Sequence, residues 1–298
     1  YEIRFCDWSS DVCSSDLLWF LDQLGLAGPA YNAPMALRLE GRLNVGALER
    51  SLAELIRRHE SLRTHFESIA GSPIQVVDPP ESFALEVRDL SGLQEQDQAL
   101  EVQRLSSEEA QRPFDLARGS LLRASLLRLA QQEHVLLLTM HHIAADGWSS
   151  GVLVNELSTL YAAYVRDQPS PLPEPPVQYA DYAIWQRQWL QGEVLQKQLQ
   201  YWSEQLFGAP PQLELPTDRP RPAVESFKGA MLNFELPATL SGALKELGRR
   251  EGATLFMVTL AAYQVLLSRW SGQQDIVVGS PGSRSEERRV GKECRSRW

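Results

Sequence analysis

The chain has 298 residues, a formal net charge of −9 and three cysteines. An acidic chain of this size lacks the clustered positive charge with which proteins bind nucleic acid or an anionic membrane. No apolar run approaches the roughly 18 residues of a membrane-spanning helix, and the N-terminus lacks the basic start and apolar stretch of a signal peptide. Composition therefore predicts a soluble, cytoplasmic protein of one large or two ordinary domains, with no nucleic-acid or membrane partner.

The two ends of the chain differ in composition from the rest. The polar run DWSSDVCSSDL ends at position 17, directly before the apolar LWFL, and the aperiodic RSEERRVGKECRSRW occupies 284–298. When back-translated, both ends resemble in-frame readings of the synthetic adapters used in short-read DNA sequencing. We therefore expect 1–17 and 284–298 to be non-native tails. All three cysteines lie in these tails, so the natural stretch 18–283 is expected to hold no disulfide, thiolate nucleophile or cysteine-based metal site.

Strand-like and helix-like segments alternate after the first tail, which predicts a mixed α/β or α+β fold. The alternating APMALRLEGRL predicts a strand, and Asn44 is the expected cap of an amphipathic helix that runs to about Arg58. A polar helix is predicted at about 94–111, and strands are predicted at IQVV, FALEVRDL, LLRASLLRL and HVLLLTMHH. A helix after Gly147 carries four apolar residues near one side: Val152, Leu157, Leu160 and Tyr161.

A proline-rich segment follows this helix. Five prolines at 168–177 cannot continue a helix and predict an extended linker. We expect 168–178 to join an N-terminal lobe at 18–167 to a partial C-terminal lobe at 179–283. In the latter, YADYAIWQRQWLQGEVLQKQLQYWSEQL and TLFMVTLAAYQVLLSRW predict helices, whereas AMLNFELP and DIVVGSP predict strands.

The sharpest group of reactive side chains lies in MHHIAADGWSS at 140–150. Because side chains alternate along a strand, His141 and His142 are expected on opposite faces, so that one ring enters a cleft while the other supports the strand. Such a pair cannot bind one ion together, so no metal is expected. A buried polar pair followed by a turn is the plain alternative. Asp146 is expected in that turn, and Ser149 or Ser150 is the expected cap of the next helix.

Two other motifs carry charged or aromatic side chains. RRHESLRTHF at 57–66 ends the amphipathic helix, and its plain interpretation is a solvated helix end. Within it, Arg63 is a candidate partner for Asp146. YADYAIWQ at 179–186 is an aromatic helix start, for which ordinary core packing is the plain interpretation.

Together these motifs resemble the condensation domain of nonribosomal peptide synthetases, in the chloramphenicol-acetyltransferase-like superfamily. HHIAADG matches the family's HHxxxDG, RHESLRTHF matches RHExLRTxF, and YADYAIW matches YxDYAxW. The resemblance covers essentially all of 18–283 and implies a two-lobed chloramphenicol-acetyltransferase-like sandwich. The first family motif, SxAQxRLWFL, survives only as LWFL, and the later motifs are absent. We therefore expect a nearly complete first lobe, a truncated second lobe and a poorly soluble, inactive fragment.

The resemblance also implies a reaction. In similar domains the amine of an acceptor aminoacyl thioester attacks a donor thioester and forms a peptide bond. Both substrates hang from the phosphopantetheine of carrier proteins, so no cofactor is expected to bind the domain directly. The implied partners are the upstream and downstream peptidyl carrier domains and an adenylation domain of the same assembly line.

By the same resemblance, His142 and Gly147 are the catalytic positions, and His141, Asp146 and Arg63 support them. The imidazole of His142 is expected to take the proton of the amine, to hold the amine by a hydrogen bond or to stabilise the tetrahedral intermediate. The sequence leaves these three roles open. The backbone N–H of Gly147 is a candidate donor to the oxyanion.

Relatives in the superfamily supply the alternatives. An epimerisation domain shares HHxxxDG but tends to differ after the glycine, where this chain reads GWSSGVLVNEL. Heterocyclising relatives replace both histidines. A stand-alone acyltransferase that uses coenzyme A and a non-catalytic docking lobe complete the set, although a pure scaffold needs no tunnel-facing histidine. The wording HHIAADGWS favours the subtype that joins an L-configured donor to an L-configured acceptor.

Overall fold

The computed structural model of this chain describes residues 2–4, 14–25, 28–69, 72–220, 232, 234–279 and 294–297. The chain divides into two compact units, Tyr1–Gln191 and Gly192–Trp298. The first unit contains the motifs that the sequence analysis singled out, so its architecture determines where their side chains lie.

The first unit alternates strands and helices as predicted. Its strands are β1 (Glu2–Arg4), β2 (Asn32–Glu40), β3 (Thr64–Ile69), β4 (Ser72–Val77), β5 (Glu86–Asp89), β6 (Leu122–Ala130) and β7 (Glu133–His141). Its helices are α1 (Ser14–Gln23), α2 (Val45–Arg58), α3 (Glu95–Gln111), α4 (Gly147–Tyr164) and α5 (Tyr179–Trp189). A four-stranded sheet has the order β2-β7-β6-β5, and a three-stranded sheet has the order β1-β4-β3. Only the β5–β6 pair is parallel among these neighbours.

Strand β7 lies between β2 and β6 and is buried on both faces over its last eight residues. Because side chains alternate along it, its residues enter two different apolar clusters. One cluster joins this strand to α2 and α4 and includes Leu136, Leu138 and Met140. The other joins it to α3 and includes Leu105, Val135 and Leu137. Helices therefore cover both faces of the four-stranded sheet.

The amphipathic helices are confirmed, with one change of face. Asn44 caps α2 as predicted, because its Oδ1 accepts the backbone N–H of Ala47 at 3.0 Å. In α4, however, Val152 is 40% exposed. The buried residues of α4 are Leu153, Leu157, Leu160 and Ala163. The expected face was therefore correct at Leu157 and Leu160 and wrong at Val152, because four residues separate Leu153 from Leu157, about one helical turn.

The proline-rich segment 168–178 packs against the first unit. Leu172 lies at the edge of the α2–α4 cluster, and its carbonyl accepts from the guanidinium of Arg58 at 3.4 Å. Farther along, the side-chain amide of Gln178 donates to the carbonyl of Arg58 at 2.8 Å, and its oxygen accepts the N–H of Glu60 at 3.2 Å. The division into units comes later, after Gln191. The role of 168–178 as a junction between lobes stays a prediction.

The second unit contains three helices and two strands in its described part: α6 (Gly192–Leu206), α7 (Ala238–Arg250), α8 (Leu255–Ser271), β8 (Asp275–Val278) and β9 (Cys294–Arg297). The predictions of α8 and β8 are confirmed. The helix predicted from Tyr179 is interrupted between α5 and α6. Sequence analysis missed α7. The predicted strand AMLNFELP has no strand structure at 232 and 234–237, and its other positions lie outside the described residues.

Within the described ranges, no single helix is both long and apolar enough to cross a membrane. Taken together, α7 and α8 pass the same test of length and composition, but they are bent by 106° at the break between them.

The buried position of β7 leads to a stability prediction. Leu136 is fully buried in this central strand, so Leu136→Ala should leave a cavity and lower the free energy of unfolding by about 2–5 kcal/mol. Val152→Ala removes apolar atoms from an exposed position and should change it by less than about 0.5 kcal/mol. Urea denaturation followed by circular dichroism measures both. Equal losses would contradict the difference in burial.

Candidate functional site

The two adjacent histidines lie in opposite environments. His141 is the last residue of β7 and is 2% exposed, whereas His142 is exposed in the turn that follows. The backbone N–H of His142 donates to the carbonyl of Tyr31 at 2.8 Å, which ties this turn to the start of β2. The contrast in burial agrees with the predicted alternation. It leaves the imidazole of His142 accessible at the end of a rigid strand.

The imidazole of His141 takes part in the turn itself. Its Nδ1 accepts the backbone N–H of Ile143 at 3.1 Å. Two aromatic rings flank it: the centroid of Phe114 lies 5.7 Å away at an interplanar angle of 77°, and that of Tyr31 lies 6.3 Å away at 57°. His141 thus joins the end of β7 to the residue beyond His142.

Asp146 begins helix α4. Its Oδ1 accepts the backbone N–H of Ser149 at 2.8 Å and the hydroxyl of Ser149 at 2.7 Å, while its own N–H donates to that hydroxyl oxygen at 3.2 Å. This reciprocal arrangement is a capping box. We expected Ser149 or Ser150 as the cap, and the structure corrects this to Asp146. The helix begins at Gly147, so Ser149 is its third residue.

Gly147 is the first residue of α4 and is exposed. A Cβ atom added there would meet nothing within 4 Å, so the contacts of the described residues do not by themselves require glycine. No acceptor for the N–H of Gly147 is found among the described residues. The N–H groups in the first turn of a helix point outward at its positive end, so this group can donate to a negatively charged atom.

Arg63 lies in a different environment from the one expected. Its guanidinium donates to the carbonyl of Asp78, just after β4, and lies 3.4 Å from the carboxylate of Glu60. Within the described part of the chain, Asp146 is not among the groups that Arg63 contacts. The expected Arg63–Asp146 ion pair is therefore not formed in this structure. Partners close to Arg63 in the same hairpin region hold its guanidinium instead.

Sequence analysis missed a buried ionic cluster that joins α2 to α4. Arg58 is 4% exposed and places its Nε 3.4 Å from the carboxylate of Glu156, and His59 places its Nε2 2.8 Å from the same oxygen. Burial opposes ionisation of this carboxyl group, but the hydrogen bonds from His59 and Arg58 outweigh it and lower the pKa of Glu156. The expected solvated helix end is thus partly buried. The available signal was that Glu156 is the only charged residue in the sequence of α4.

The described residues contain no group of three or more His, Cys, Asp or Glu side chains arranged to hold a metal ion. A cavity of about 730 Å³ in the first unit is lined by residues around the end of β4 and by the loop after α3. Arg63, His65 and Asp78 are among its walls, and His142 is not. The cavity and the exposed histidine are therefore separate features of the unit.

The capping box leads to a prediction for Asp146. Asp146→Ala should lower the free energy of unfolding by about 0.5–2 kcal/mol because two hydrogen-bond donors at the start of α4 lose their acceptor. Asp146→Asn should retain most of the stability, since asparagine is also a good cap. Ser158→Ala, at an exposed position on the same helix, is the control. Chemical denaturation measures all three, and an alanine variant as stable as the original chain would argue against the cap.

The lowered pKa of Glu156 leads to a prediction about pH. Its ionised form adds stability that is complete above the unfolded-state pKa of about 4.3 and is lost as the pH falls through the lower folded-state value. Glu156→Gln should therefore lower the free energy of unfolding by about 1.5–3 kcal/mol at pH 7. The difference from the original chain should shrink below about pH 4.

The control for this experiment is Glu108→Gln, which changes an exposed carboxylate on α3. It should cause no comparable loss at pH 7. A loss at Glu156 that stayed constant across the acid range would show that the carboxylate charge is not responsible.

The chain also resembles known proteins. A profile of the family described as Condensation domain matches residues 16–293. A linear gramicidin synthase from Brevibacillus parabrevis is 56% identical over 264 residues, which are 89% of this chain and 3% of that protein. Chondramide synthase cmdD of Chondromyces crocatus is 49% identical over 263 residues, which are 88% of this chain and 7% of that protein. The chain thus spans only a small part of these relatives.

Solved structures share its fold. The X-domain from teicoplanin biosynthesis has a TM-score of 0.79 and 30% identity, covering 95% of this chain and 62% of that one. SgcC5 from Streptomyces globisporus has a TM-score of 0.72 and 33% identity, covering 92% of this chain and 63% of that one. The first condensation domain of the calcium-dependent antibiotic synthetase has a TM-score of 0.77 at 23% identity, covers 93% of this chain and 64% of that one, and supports the fold alone.

These matches confirm the expected mixed α/β, chloramphenicol-acetyltransferase-like class. The family profile extends over far more than half of the chain and includes the histidine turn and the motifs at 57–66 and 179–186. The chain belongs to the condensation-domain family of nonribosomal peptide synthetases.

Proposed function

We propose that this chain is part of a condensation domain that joins two carrier-tethered substrates through a peptide bond. One observation carries the proposal: His142 is exposed at the end of the buried strand β7, whereas the neighbouring His141 is enclosed. A reactive imidazole needs access to substrate together with a fixed position, and this turn offers both.

In the proposed reaction the amine nitrogen of the acceptor attacks the carbonyl carbon of the donor thioester. The C–N bond forms, the C–S bond breaks, the amine loses a proton and the departing sulfur gains one. A thioester is already activated, so much of the catalysis is positioning, which can supply about 7–11 kcal/mol of the barrier. The phosphopantetheine arms belong to the carrier domains, and the chain is proposed to bind no cofactor of its own.

His142 is the proposed catalytic residue. A neutral imidazole there can accept the proton of the attacking amine, hold the amine by a hydrogen bond or stabilise the charged intermediate. The N–H of Gly147 is the proposed donor to the oxyanion, because it lies at the positive end of α4. These two assignments match the HHxxxDG positions of the family.

The remaining motif residues are proposed to support this site. His141 holds the turn through its bond to Ile143, and Asp146 sets the first turn of α4 through its capping box. Arg63 supports the site less directly, by holding the end of β4 through the carbonyl of Asp78.

The proposed partners are carrier domains on either side and an adenylation domain of the same assembly line. The relatives named above are long synthases, and a four-domain nonribosomal peptide synthetase matches with a TM-score of 0.77 over 97% of this chain. At 24% identity this last match supports the fold alone. We place the reaction in the cytoplasm, and propose an L-configured donor and acceptor.

A docking lobe without catalysis is the second candidate, and a specific observation favours it. The X-domain of teicoplanin biosynthesis, solved in complex with OxyB, resembles this chain with a TM-score of 0.76 and 31% identity. That fold therefore also serves in a complex with another protein. The presence of an exposed histidine after a buried one favours catalysis in the present chain.

The test replaces the 264-residue matching segment of the linear gramicidin synthase with the corresponding residues of this chain. With both carrier domains loaded, mass spectrometry follows the condensed product. His142→Ala should lower the rate by about 10²–10⁴-fold, the usual contribution of a general acid or base. His65→Gln, which changes a histidine on β3, is the matched control and should retain the rate.

An unchanged rate in the His142→Ala protein would refute the catalytic assignment. If the protein with His142 intact loads both carriers, yields no product and still binds a neighbouring protein of the assembly line, the docking lobe becomes the better description.

A further inference from the structure

The C-terminus of α3 is held by side chains from two strands of the four-stranded sheet. A helix end leaves carbonyl groups without donors in the helix, and here side chains supply the donors. The amide of Asn32 donates to the carbonyls of Ala110 and Arg112, at 2.8 Å in each case. The guanidinium of Arg123 donates to the carbonyls of Glu109 at 3.2 Å and Arg112 at 2.8 Å.

These two side chains flank the histidine at the end of β7. Asn32 on β2 is paired in register with His141, and Arg123 on β6 is paired with Thr139. The segment that follows α3 is therefore anchored on both sides of β7, within two residues of His141. This anchoring places the next aromatic residue, Phe114, beside the buried imidazole.

Arg123 is held more firmly than a surface arginine. Its Nε lies 2.6 Å from the carboxylate of Glu109, its Nη1 donates to the carbonyl of Pro113 at 3.2 Å, and its side chain is only 16% exposed. With its Nη2 bonded as well, every nitrogen of the guanidinium has an acceptor. The planar group lies over the ring of Phe114, with its central carbon 3.8 Å from the ring centroid. Such a stack favours one orientation of the ring.

Phe114 in turn contacts His141 edge-on, with the centroids 5.7 Å apart and the rings at 77°. The Nδ1 of His141 accepts the N–H of Ile143, so Nδ1 carries a lone pair and the ring proton is on Nε2. That hydrogen bond survives only while the imidazole keeps its plane. Rotation of the ring would release Ile143 and loosen the turn that contains His142.

We propose that Arg123 and Phe114 are positioning residues for the histidine turn. Arg123 fixes Phe114, Phe114 orients the imidazole of His141, and His141 holds the turn that presents His142. The consequence for catalysis rests on the proposed condensation function. The consequence for the orientation and tautomer of His141 does not.

The first test is spectroscopic and uses the 298-residue chain, which contains five histidines. With ¹⁵N-labelled histidine, the ring nitrogens of His141 should show the Nε2–H tautomer, and loss of the signal in His141→Asn assigns it. Phe114→Leu and Arg123→Gln should shift the signal towards a mixture of both tautomers. Arg128→Gln, which changes a more exposed arginine on the same strand, should leave it unchanged.

Folding is checked by circular dichroism in each variant. If Arg123→Gln does not fold, the two variants of Phe114 decide the question. Phe114→Tyr keeps the ring and should show the original tautomer, whereas Phe114→Leu should not. An unchanged His141 signal in a folded Phe114→Leu chain would overturn the proposal.

The second test measures kinetics in the synthase that carries this segment. Phe114→Leu should lower kcat by about ten- to a hundred-fold, the effect of a small displacement of a catalytic group, with little change in KM. Phe114→Tyr should restore kcat. A loss of kcat with an unchanged His141 signal would contradict the proposal, as would a changed signal with an unchanged kcat. If even the unsubstituted protein makes no product, the proposed function fails, and the spectroscopic test still decides how His141 is held.

Discussion

The position of the candidate site depends on the burial of strand β7. This strand is hydrogen-bonded to β2 on one side and β6 on the other, and apolar side chains cover both of its faces. Moving its end would expose apolar surface and break two ladders at once, so His141 occupies a nearly fixed position. Everything beyond it in the histidine turn is placed relative to that point. An exposed catalytic side chain can thus be precise without being enclosed itself.

Polar groups at the ends of helices extend this rigidity to the site. Asp146 supplies acceptors at the start of α4, and Arg123 supplies donors at the end of α3. In both cases a side chain satisfies backbone groups that the helix leaves unpaired, and the helix end is thereby fixed near the histidine turn. The exposed first residue of α4 remains able to donate its N–H outward. The same physical requirement therefore builds the support and leaves one donor available.

The arginine motif contributes through the interior of the first unit. Arg58 and His59 share the carboxylate of Glu156, which fixes the end of α2 against the middle of α4. Gln178 then attaches the chain after the proline-rich segment to the same helix end. A buried charge without a partner is costly, so this group of side chains specifies one arrangement of three segments. The motif thus stabilises the scaffold that carries the site.

Local pattern in the sequence determined most of the elements and the family. Alternating apolar residues predicted β7, Asn44 predicted the start of α2, and HHIAADG predicted a histidine pair with contrasting environments. Tertiary structure decided which distant side chains meet: Arg63 bonds to Asp78 rather than to Asp146, and Glu156 joins Arg58 and His59. The face of α4 also depended on structure, because capping by Asp146 set its first residue and packing selected Leu153 over Val152. Periodicity is a property of neighbouring residues, whereas an ion pair between separate segments depends on how the whole unit packs.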